Sequence, residues 1–268
     1  MTEILQAILL GIVEGLTEFL PVSSTGHLII TGHLIGFVGD KAETFEVFIQ
    51  LGAILAVLLL YKDRFLGLIP SRKQDETNRF FGVNGLVLLA ITTLPALIFG
   101  VLLHGYIKRY LFNPMTVALG LAMGGGVILW VERKAYPAQR IGLSSLTLRD
   151  ALMIGCFQSL AIWPGVSRSG ATIIGGMLLG IERKTAVEYS FLAAVPVMFA
   201  ATSYDLYKTF ALLSSSDYLI FSVGFGTSFI SAMIAIRFFI KWLSRVTLWP
   251  FGWYRLAVAA VIVVLIGY

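Results

Sequence analysis

Six long runs of apolar residues limit what this chain can fold into more than any other feature. They cover residues 45–61, 80–103, 114–131, 186–204, 217–240 and 250–268. An α-helix of about 20 residues crosses the hydrocarbon core of a bilayer, whereas an outer-membrane β-strand needs only about 10. Charged residues make up 13% of the chain, which is too few to cover a soluble globule. The runs therefore predict an all-α integral membrane protein with six transmembrane helices, and they exclude a soluble nucleic-acid-binding protein.

Two further apolar regions, 1–38 and 148–181, are interrupted near their middle. The first is broken between Pro21 and His27, and the second between Trp163 and Gly170. The piece that follows the first break, 26–38, would be about 20 Å long as a helix, which is too short to cross. We therefore predict that each region forms a re-entrant helix–loop–helix pair. Irregular backbone at that depth is tolerated only where it is buried in protein or lines a water-filled cavity.

The two interrupted regions match each other at a constant spacing of 144 residues. The members of the first region that find an identical partner in the second are Gly11, Leu16, Val22, Ser23, Gly26, Ile29, Ile30, Gly32, Leu34 and Gly36. Such similarity indicates an internal duplication. Each copy holds one re-entrant pair and three spans, and because three is odd the second copy must be inverted relative to the first. We predict a single membrane domain, 1–268, built as an inverted-topology repeat with copies at 1–131 and 148–268.

The basic residues predict the orientation of this repeat. The net charge is +5, and most of the 20 Lys and Arg residues lie in loops on one side of the predicted membrane. That side holds Lys62, Arg64, Arg72, Lys73, Arg79, Arg133, Lys134, Arg140, Arg149, Arg183, Lys184, Lys241 and Arg245. The opposite side holds Lys41, Lys108, Arg109 and Lys208. Since cytoplasmic loops are enriched in Lys and Arg, we expect both chain ends on the outside.

Three ionisable residues, Glu14, Glu18 and Arg168, lie at membrane depth in the interrupted regions. Left in lipid, the three together would cost about 8–10 kcal/mol, so they must face one another or water. Glu14 and Glu18 are four residues apart and project from one helical face. They predict either a divalent-metal site for Mg²⁺ or Ca²⁺ or an acid/base pair. The alternative is that both carboxylates reach headgroup water at a helix end.

Hydroxyl and glycine residues begin the second half-helix of each interrupted region. They are Ser23, Ser24, Thr25 and Gly26 in the first copy, and Ser167, Ser169, Gly170 and Thr172 in the second. In a soluble protein such residues are mostly N-caps. Here the inverted repeat would aim two helix N-termini at one point, which predicts an anion site. Arg168 would supply a permanent cation for a phosphate.

His27 follows Ser24 by three residues and lies on the same helical face. It could act as the base for Ser24, as the acid for a leaving group, or as the nucleophile itself. The alternative is a structural hydrogen bond between helices. The second copy lacks these groups, because Gln158, Ile162 and Ala171 replace the two acids and the histidine. We expect the first copy to react and the second to hold the anion.

Other features have structural interpretations or stay undecided. Gly124, Gly125 and Gly126 indicate close helix packing, and Trp249, Trp253 and Tyr254 resemble an interfacial aromatic belt. The polar residues left open between a supporting role at the site and an interfacial role are Glu46, Gln50, Glu188, Arg237 and Arg255.

The segments EGLTEFLPVSSTGH, from Glu14 to His27, and PGVSRSGAT, from Pro164 to Thr172, resemble the two signature motifs of the undecaprenyl-diphosphate phosphatase (bacitracin-resistance) family. The resemblance covers essentially the whole chain. It implies hydrolysis of a C55 polyprenyl diphosphate to the monophosphate carrier of peptidoglycan synthesis. It also implies a divalent cation, a multi-pass protein of the bacterial inner membrane whose site opens to the periplasm, and a homodimer.

Under this resemblance Glu14 and Glu18 would bind the metal, Arg168 would hold the diphosphate, and the attacking group would be Ser24, His27 or water. A different function, a transporter or flippase of an anionic polyprenyl lipid, is also compatible with an inverted repeat. It would bind the lipid without releasing phosphate. A serine and a histidine beside two acids favour the enzyme, because translocation does not require them.

Overall fold

The computed structural model describes residues 1–69, 80–111, 113–134, 138–209, 217–243 and 247–266. These residues form α-helices joined by short turns, with no β-strand among them. The helices are α1 (Glu3–Thr17), α2 (Ser24–Ile35), α3 (Asp40–Leu60), α4 (Lys62–Leu66), α5 (Gly82–Tyr110), α6 (Pro114–Arg133), α7 (Leu148–Ser159), α8 (Arg168–Leu178), α9 (Arg183–Thr209), α10 (Asp217–Leu243) and α11 (Trp249–Ile266). The predicted all-α class is confirmed.

Five helices, α3, α5, α6, α9 and α10, are long and apolar enough to cross a membrane. They correspond to the first five predicted spans. The sixth run, 250–268, gives a shorter apolar helix, Trp249–Val264, within the described part of the chain. Of the residues used to predict the orientation, Arg72, Lys73, Arg79 and Arg245 lie outside the described residues, as do the side chains of Lys108 and Arg109.

Both interrupted regions form two short helices around a break. Helices α1 and α2 pack against each other, and so do α7 and α8. The longest of these helices, α1, has 15 residues and is therefore about 22 Å long, shorter than a hydrocarbon core of about 30 Å. A 3-10 turn, Leu160–Ile162, extends α7 into the second break. The breaks therefore occur at both predicted places.

The backbone repeats the spacing of 144 residues seen in the sequence. Ser23 (φ 70°) and Ser167 (φ 74°) are the non-glycine residues with positive φ in the described chain, and each directly precedes the helix that follows its break. Gly36 (φ 71°) and Gly180 (φ 80°) follow the ends of the same two helices. Positive φ explains glycine at these helix ends, because it has no Cβ to clash.

The packing of the interrupted regions is exchanged between the two halves. Helix α1 of the first half lies against α10 of the second, and α7 of the second half lies against α5 of the first. The equivalent glycines Gly11 and Gly155 allow these contacts. A Cβ on Gly11 would lie 2.6 Å from the carbonyl oxygen of Gly224, and one on Gly155 would lie 2.6 Å from that of Thr92. The exchange brings the two breaks together.

Candidate active site

A cavity of about 250 Å³ lies between the two breaks. The residues that line it from the first break are Glu18, Ser23, Ser24 and Thr25, and those from the second are Ala161, Ile162, Pro164, Gly165, Ser167 and Arg168. Helices α3 and α9 complete the wall with Gln50, Val197, Met198 and Ala201. The cavity therefore combines polar groups of both interrupted regions with apolar side chains.

Glu18 connects the two breaks chemically. Its Oε1 accepts a hydrogen bond of 2.8 Å from Nη2 of Arg168, and its Oε2 accepts one from the hydroxyl of Ser24. Nη1 of Arg168 donates to the carbonyl oxygen of Ser190 at 3.1 Å, and the guanidinium lies over the ring of Phe19. The structure thus brings together a carboxylate, a serine hydroxyl and a guanidinium that the sequence predicted separately.

Glu14 lies one turn before Glu18 and is fully buried. No described donor reaches either of its carboxylate oxygens. Its charged neighbours are Glu18, Glu46 and Arg168. A buried carboxylate without a partner is costly unless it is protonated or binds a cation. The described residues contain no cluster of three or more His, Cys, Asp or Glu side chains, so a cation here would need further ligands from substrate or water.

Ser23 and Ser167 cap the helices that begin at the breaks. The Oγ of Ser23 accepts from the backbone N–H of Gly26 at 3.4 Å, and the Oγ of Ser167 accepts from that of Gly170 at 3.1 Å. The N-cap interpretation therefore holds for both. Their positive φ costs about 1–3 kcal/mol each, and such strain persists only where the surroundings hold it in place.

Two of the predicted anion-binding hydroxyls are engaged elsewhere. Ser169 donates to the carbonyl oxygen of Leu20 at 2.8 Å, which ties the second break to the first. Thr172 donates to backbone carbonyls of its own helix and lies 2.6 Å from the hydroxyl of Ser190. Both side chains are buried, and neither lines the cavity. The predicted Thr25, by contrast, lies on the cavity wall.

The structure does not bring the ring of His27 to Ser24. Nδ1 of His27 lies 2.8 Å from the carbonyl oxygen of Ser23, and Nε2 lies 2.7 Å from the hydroxyl of Tyr254 on α11. Because a carbonyl only accepts, Nδ1 donates, and in the neutral ring Nε2 accepts from Tyr254. The two rings stack with their centroids 5.6 Å apart. His27 therefore makes the structural hydrogen bond between helices, here α2 and α11, that was the alternative to a catalytic role. A catalytic role for His27 stays a prediction.

The residues that the sequence left undecided separate clearly. Gln50 lines the cavity, whereas Glu188 pairs with Arg64 at 3.0 Å and Arg237 is exposed on α10. Glu46 lies beside α2, since a Cβ on Gly32 would lie 3.3 Å from its Oε1. Each of these side chains therefore has a different environment, although all of them lie in or beside apolar runs.

Arg255, the last of the residues that the sequence left undecided, has a supporting position behind the site. It is 1% exposed and donates to carbonyl oxygens of both breaks and of α6. The only available signal was an arginine inside the apolar run of α11. Gly124 and Gly125 pack against α11 at this point, which confirms close packing for these two glycines.

Comparison with known proteins agrees with this geometry. The family described as "Bacitracin resistance protein BacA" matches residues 7–261. A relative from Maridesulfovibrio salexigens, named undecaprenyl-diphosphatase, is 56% identical over 262 residues, which cover 98% of both chains. Proteins of the same name from Nitratidesulfovibrio vulgaris and Solidesulfovibrio magneticus are each 54% identical, over 100% and 98% of both chains. With both motifs on the wall of one cavity and a match over nearly its whole length, the chain belongs to the bacitracin resistance protein BacA family.

Proposed function

We propose that this chain is an undecaprenyl-diphosphatase, which hydrolyses undecaprenyl diphosphate to undecaprenyl phosphate and inorganic phosphate. Relatives that carry this name match the full chain. The observation that carries the proposal is the contact of one carboxylate, Glu18, with both Ser24 and Arg168 on the cavity wall. Recycling the lipid carrier in this way would support peptidoglycan synthesis and confer resistance to bacitracin, which the family name describes.

Binding of the diphosphate relies on positive groups from both breaks. Arg168 presents a planar guanidinium that can hold two phosphate oxygens. The first turns of α2 and α8 add backbone N–H groups and the positive ends of two helix dipoles. The apolar side chains of Val197, Met198 and Ala201 lie on the same wall and suit the prenyl chain.

The reaction begins with attack of the Ser24 hydroxyl on the terminal phosphorus. Glu18, which already accepts the hydrogen bond from this hydroxyl, takes its proton. An Oγ–P bond forms, and the bond from that phosphorus to the bridging oxygen breaks, so the lipid monophosphate leaves with the electron pair. Arg168 balances the charge on the transferring phosphoryl group.

A water molecule completes the cycle. It attacks the phosphorus of phosphorylated Ser24, and the serine oxygen leaves with the proton held by Glu18. The proton that water loses passes to Glu18 and then to solvent, which restores the free site and releases inorganic phosphate.

Glu14 and Glu18 are the residues that would hold a divalent cation, Mg²⁺ or Ca²⁺. The fit is supported by the two buried carboxylate oxygens of Glu14 that no described donor reaches. Such a cation, when bound, neutralises charge on the diphosphate. Two carboxylates leave room for phosphate and water ligands, which is the usual protein environment of Mg²⁺.

The proposal includes a topology of six transmembrane helices and two re-entrant pairs in an inverted repeat. It is supported by the spacing of 144 residues between the strained serines and by the exchanged packing of α1 on α10 and α7 on α5. In this topology the cavity opens to the periplasmic face of the inner membrane. We also expect the homodimer that the family resemblance implied.

Phosphate release by the purified protein tests the function. In detergent, the protein should release inorganic phosphate from undecaprenyl diphosphate, and Arg168→Ala should abolish the release while the protein stays folded. Arg149→Ala, which removes an exposed arginine on α7, is the matched control. Lipid binding or movement across vesicles without phosphate release would instead favour the transporter.

A further inference from the structure

Arg255 joins the three backbone segments that form the back of the site. The three nitrogens of its guanidinium donate to the carbonyl oxygens of Pro21 (3.2 Å), Gly120 (3.1 Å), Leu121 (3.3 Å), Gly165 (2.8 Å) and Val166 (2.9 Å). Pro21 belongs to the first break, Gly165 and Val166 belong to the second, and the other two lie on α6. One buried side chain therefore ties both breaks to a transmembrane helix.

The ion pairs of the described residues do not include Arg255. A buried guanidinium needs several good acceptors to offset its lost hydration, and here main-chain carbonyls supply them. An aliphatic residue would fill this space at a smaller desolvation cost. The arginine therefore has a use beyond packing, and its contacts with both breaks identify where that use lies.

Two of the carbonyls held by Arg255, those of Val166 and Pro21, lie one and two residues before the strained serines. Val166 is followed by Ser167, and Pro21 is separated from Ser23 by Val22. No described peptide bond is cis, so the C=O of Val166 and the N–H of Ser167 point in opposite directions. With the carbonyl fixed on Arg255, this N–H points away from the guanidinium, and Ser167 lies on the cavity wall.

We propose that Arg255 is a positioning residue for phosphoryl transfer, which holds the two breaks together and fixes the orientation of the peptide between Val166 and Ser167. This rests on the proposed phosphatase function and extends it to α11, which carries neither family motif. Arg255 acts through the backbone and does not touch the diphosphate. Losing it would relax the positive φ at Ser23 and Ser167 and displace Ser24 and Arg168, which directly follow these serines.

The glycines of α6 allow a test that leaves the charge of Arg255 intact. A Cβ on Gly124 would lie 2.0 Å from Nη2 of Arg255, whereas a Cβ on Gly126 would have nothing within 4 Å. Gly124→Ala therefore pushes the guanidinium off its carbonyls. Gly126→Ala makes the same change two residues away in the same helix, where alanine is otherwise favoured over glycine.

Phosphate-release kinetics and thermal unfolding of the purified variants decide the matter. We expect kcat of Gly124→Ala to fall by about 10–100-fold, since an error near 1 Å in placement can cost about 100-fold, while KM changes by less than about threefold. Gly126→Ala should match the wild type. The proposal is wrong if folded Gly124→Ala retains its kcat, or if both alanine variants lose activity equally.

Arg255→Lys keeps the positive charge but loses the planar guanidinium that donates to both breaks. Arg237→Lys, on α10, is its control. Folded Arg255→Lys should show the same loss of kcat, and wild-type kcat in this variant would contradict the proposal. If neither Gly124→Ala nor Arg255→Lys folds, Arg255 is a folding residue and the proposal also fails. Absence of phosphate release by the wild type would instead refute the phosphatase function itself.

Discussion

The guanidinium of Arg168 and the carboxylate of Glu18 form an ion pair across 150 positions of sequence, with Nη2 2.8 Å from Oε1. Both side chains are mostly buried, so neither charge is strongly screened by water. The pair joins the interrupted region that carries Ser24, the proposed nucleophile, to the one that carries Arg168. An incoming diphosphate would compete with Glu18 for Arg168 and so free the carboxylate to accept a proton from Ser24.

Replacing Arg168 with lysine should therefore damage catalysis more than folding. Arg168→Lys keeps the charge beside Glu18 but loses the planar fork, so kcat/KM should fall by about 10²–10³-fold, in line with the loss of a main electrostatic stabiliser. Steady-state phosphate release and thermal unfolding would measure this. Arg149→Lys on the exposed face of α7 should be neutral, and wild-type activity in Arg168→Lys would argue against a bidentate phosphate contact.

Removing the base while keeping its shape should slow the chemical step. Glu18→Gln retains a hydrogen-bond acceptor for Arg168 but cannot take the proton of Ser24, so kcat should fall by about 10²–10⁴-fold. Glu188→Gln changes a glutamate on α9 that pairs with Arg64 away from the cavity, and it should leave kcat unchanged. Single-turnover rates distinguish slow chemistry from slow release, and a normal single-turnover rate in Glu18→Gln would assign the base elsewhere.

The breaks and the residues in them were predictable because the relevant physics is local to the sequence. Proline, glycine and hydroxyl residues interrupt apolar runs visibly, and Glu14, Glu18 and Arg168 are too costly in lipid to lack a function. Five of the six predicted spans correspond to helices that are long and apolar enough to cross a membrane, and the sixth run gives a shorter apolar helix in the described residues. The confirmed part of the fold, the all-α class with five apolar spans, therefore depends on hydropathy.

The contacts of Arg255 and His27 were not predictable, because they join residues that are far apart in the sequence. Arg255 binds main-chain carbonyls, which every residue possesses, so no partner is recognisable in the sequence. His27 meets Tyr254 across 227 positions, and the aromatic residue had an equally good explanation as part of an interfacial belt. Spacing along α2 suggested Ser24 as the partner of His27, but tertiary packing joined Ser24 to Glu18 instead.

The proposed attack by Ser24 predicts that one side chain of the enzyme is phosphorylated during turnover. Because Ser24 contacts Glu18 and both ring nitrogens of His27 have other partners, phosphate should be found on Ser24. Mass spectrometry after rapid acid quenching of a single turnover would detect phosphoserine, which survives acid, whereas phosphohistidine does not. Ser24→Ala should give no adduct. An unmodified wild-type enzyme during turnover would support direct attack by water.

Glu14 should set the affinity for the divalent cation. Its carboxylate oxygens are buried without a described donor, so Glu14→Gln removes a metal ligand and keeps the size of the side chain. The Mg²⁺ concentration for half-maximal activity should rise by about 10-fold or more, and chelation should inactivate the wild type reversibly. Glu188→Gln again serves as the control. An unchanged Mg²⁺ dependence in Glu14→Gln would exclude Glu14 from a metal site.

The orientation predicted from the basic loops can be tested with single cysteines. In a Cys156→Ser background, Lys208→Cys at the end of α9 and Lys134→Cys after α6 place exposed thiols on opposite sides of the proposed membrane. A membrane-impermeant maleimide added to intact spheroplasts should label Lys208→Cys, and it should label Lys134→Cys only after permeabilisation. A reporter fused after Tyr268 should likewise show an exterior location. The reverse labelling pattern would place the cavity on the cytoplasmic side, where it could not reach lipid diphosphate in the periplasmic leaflet.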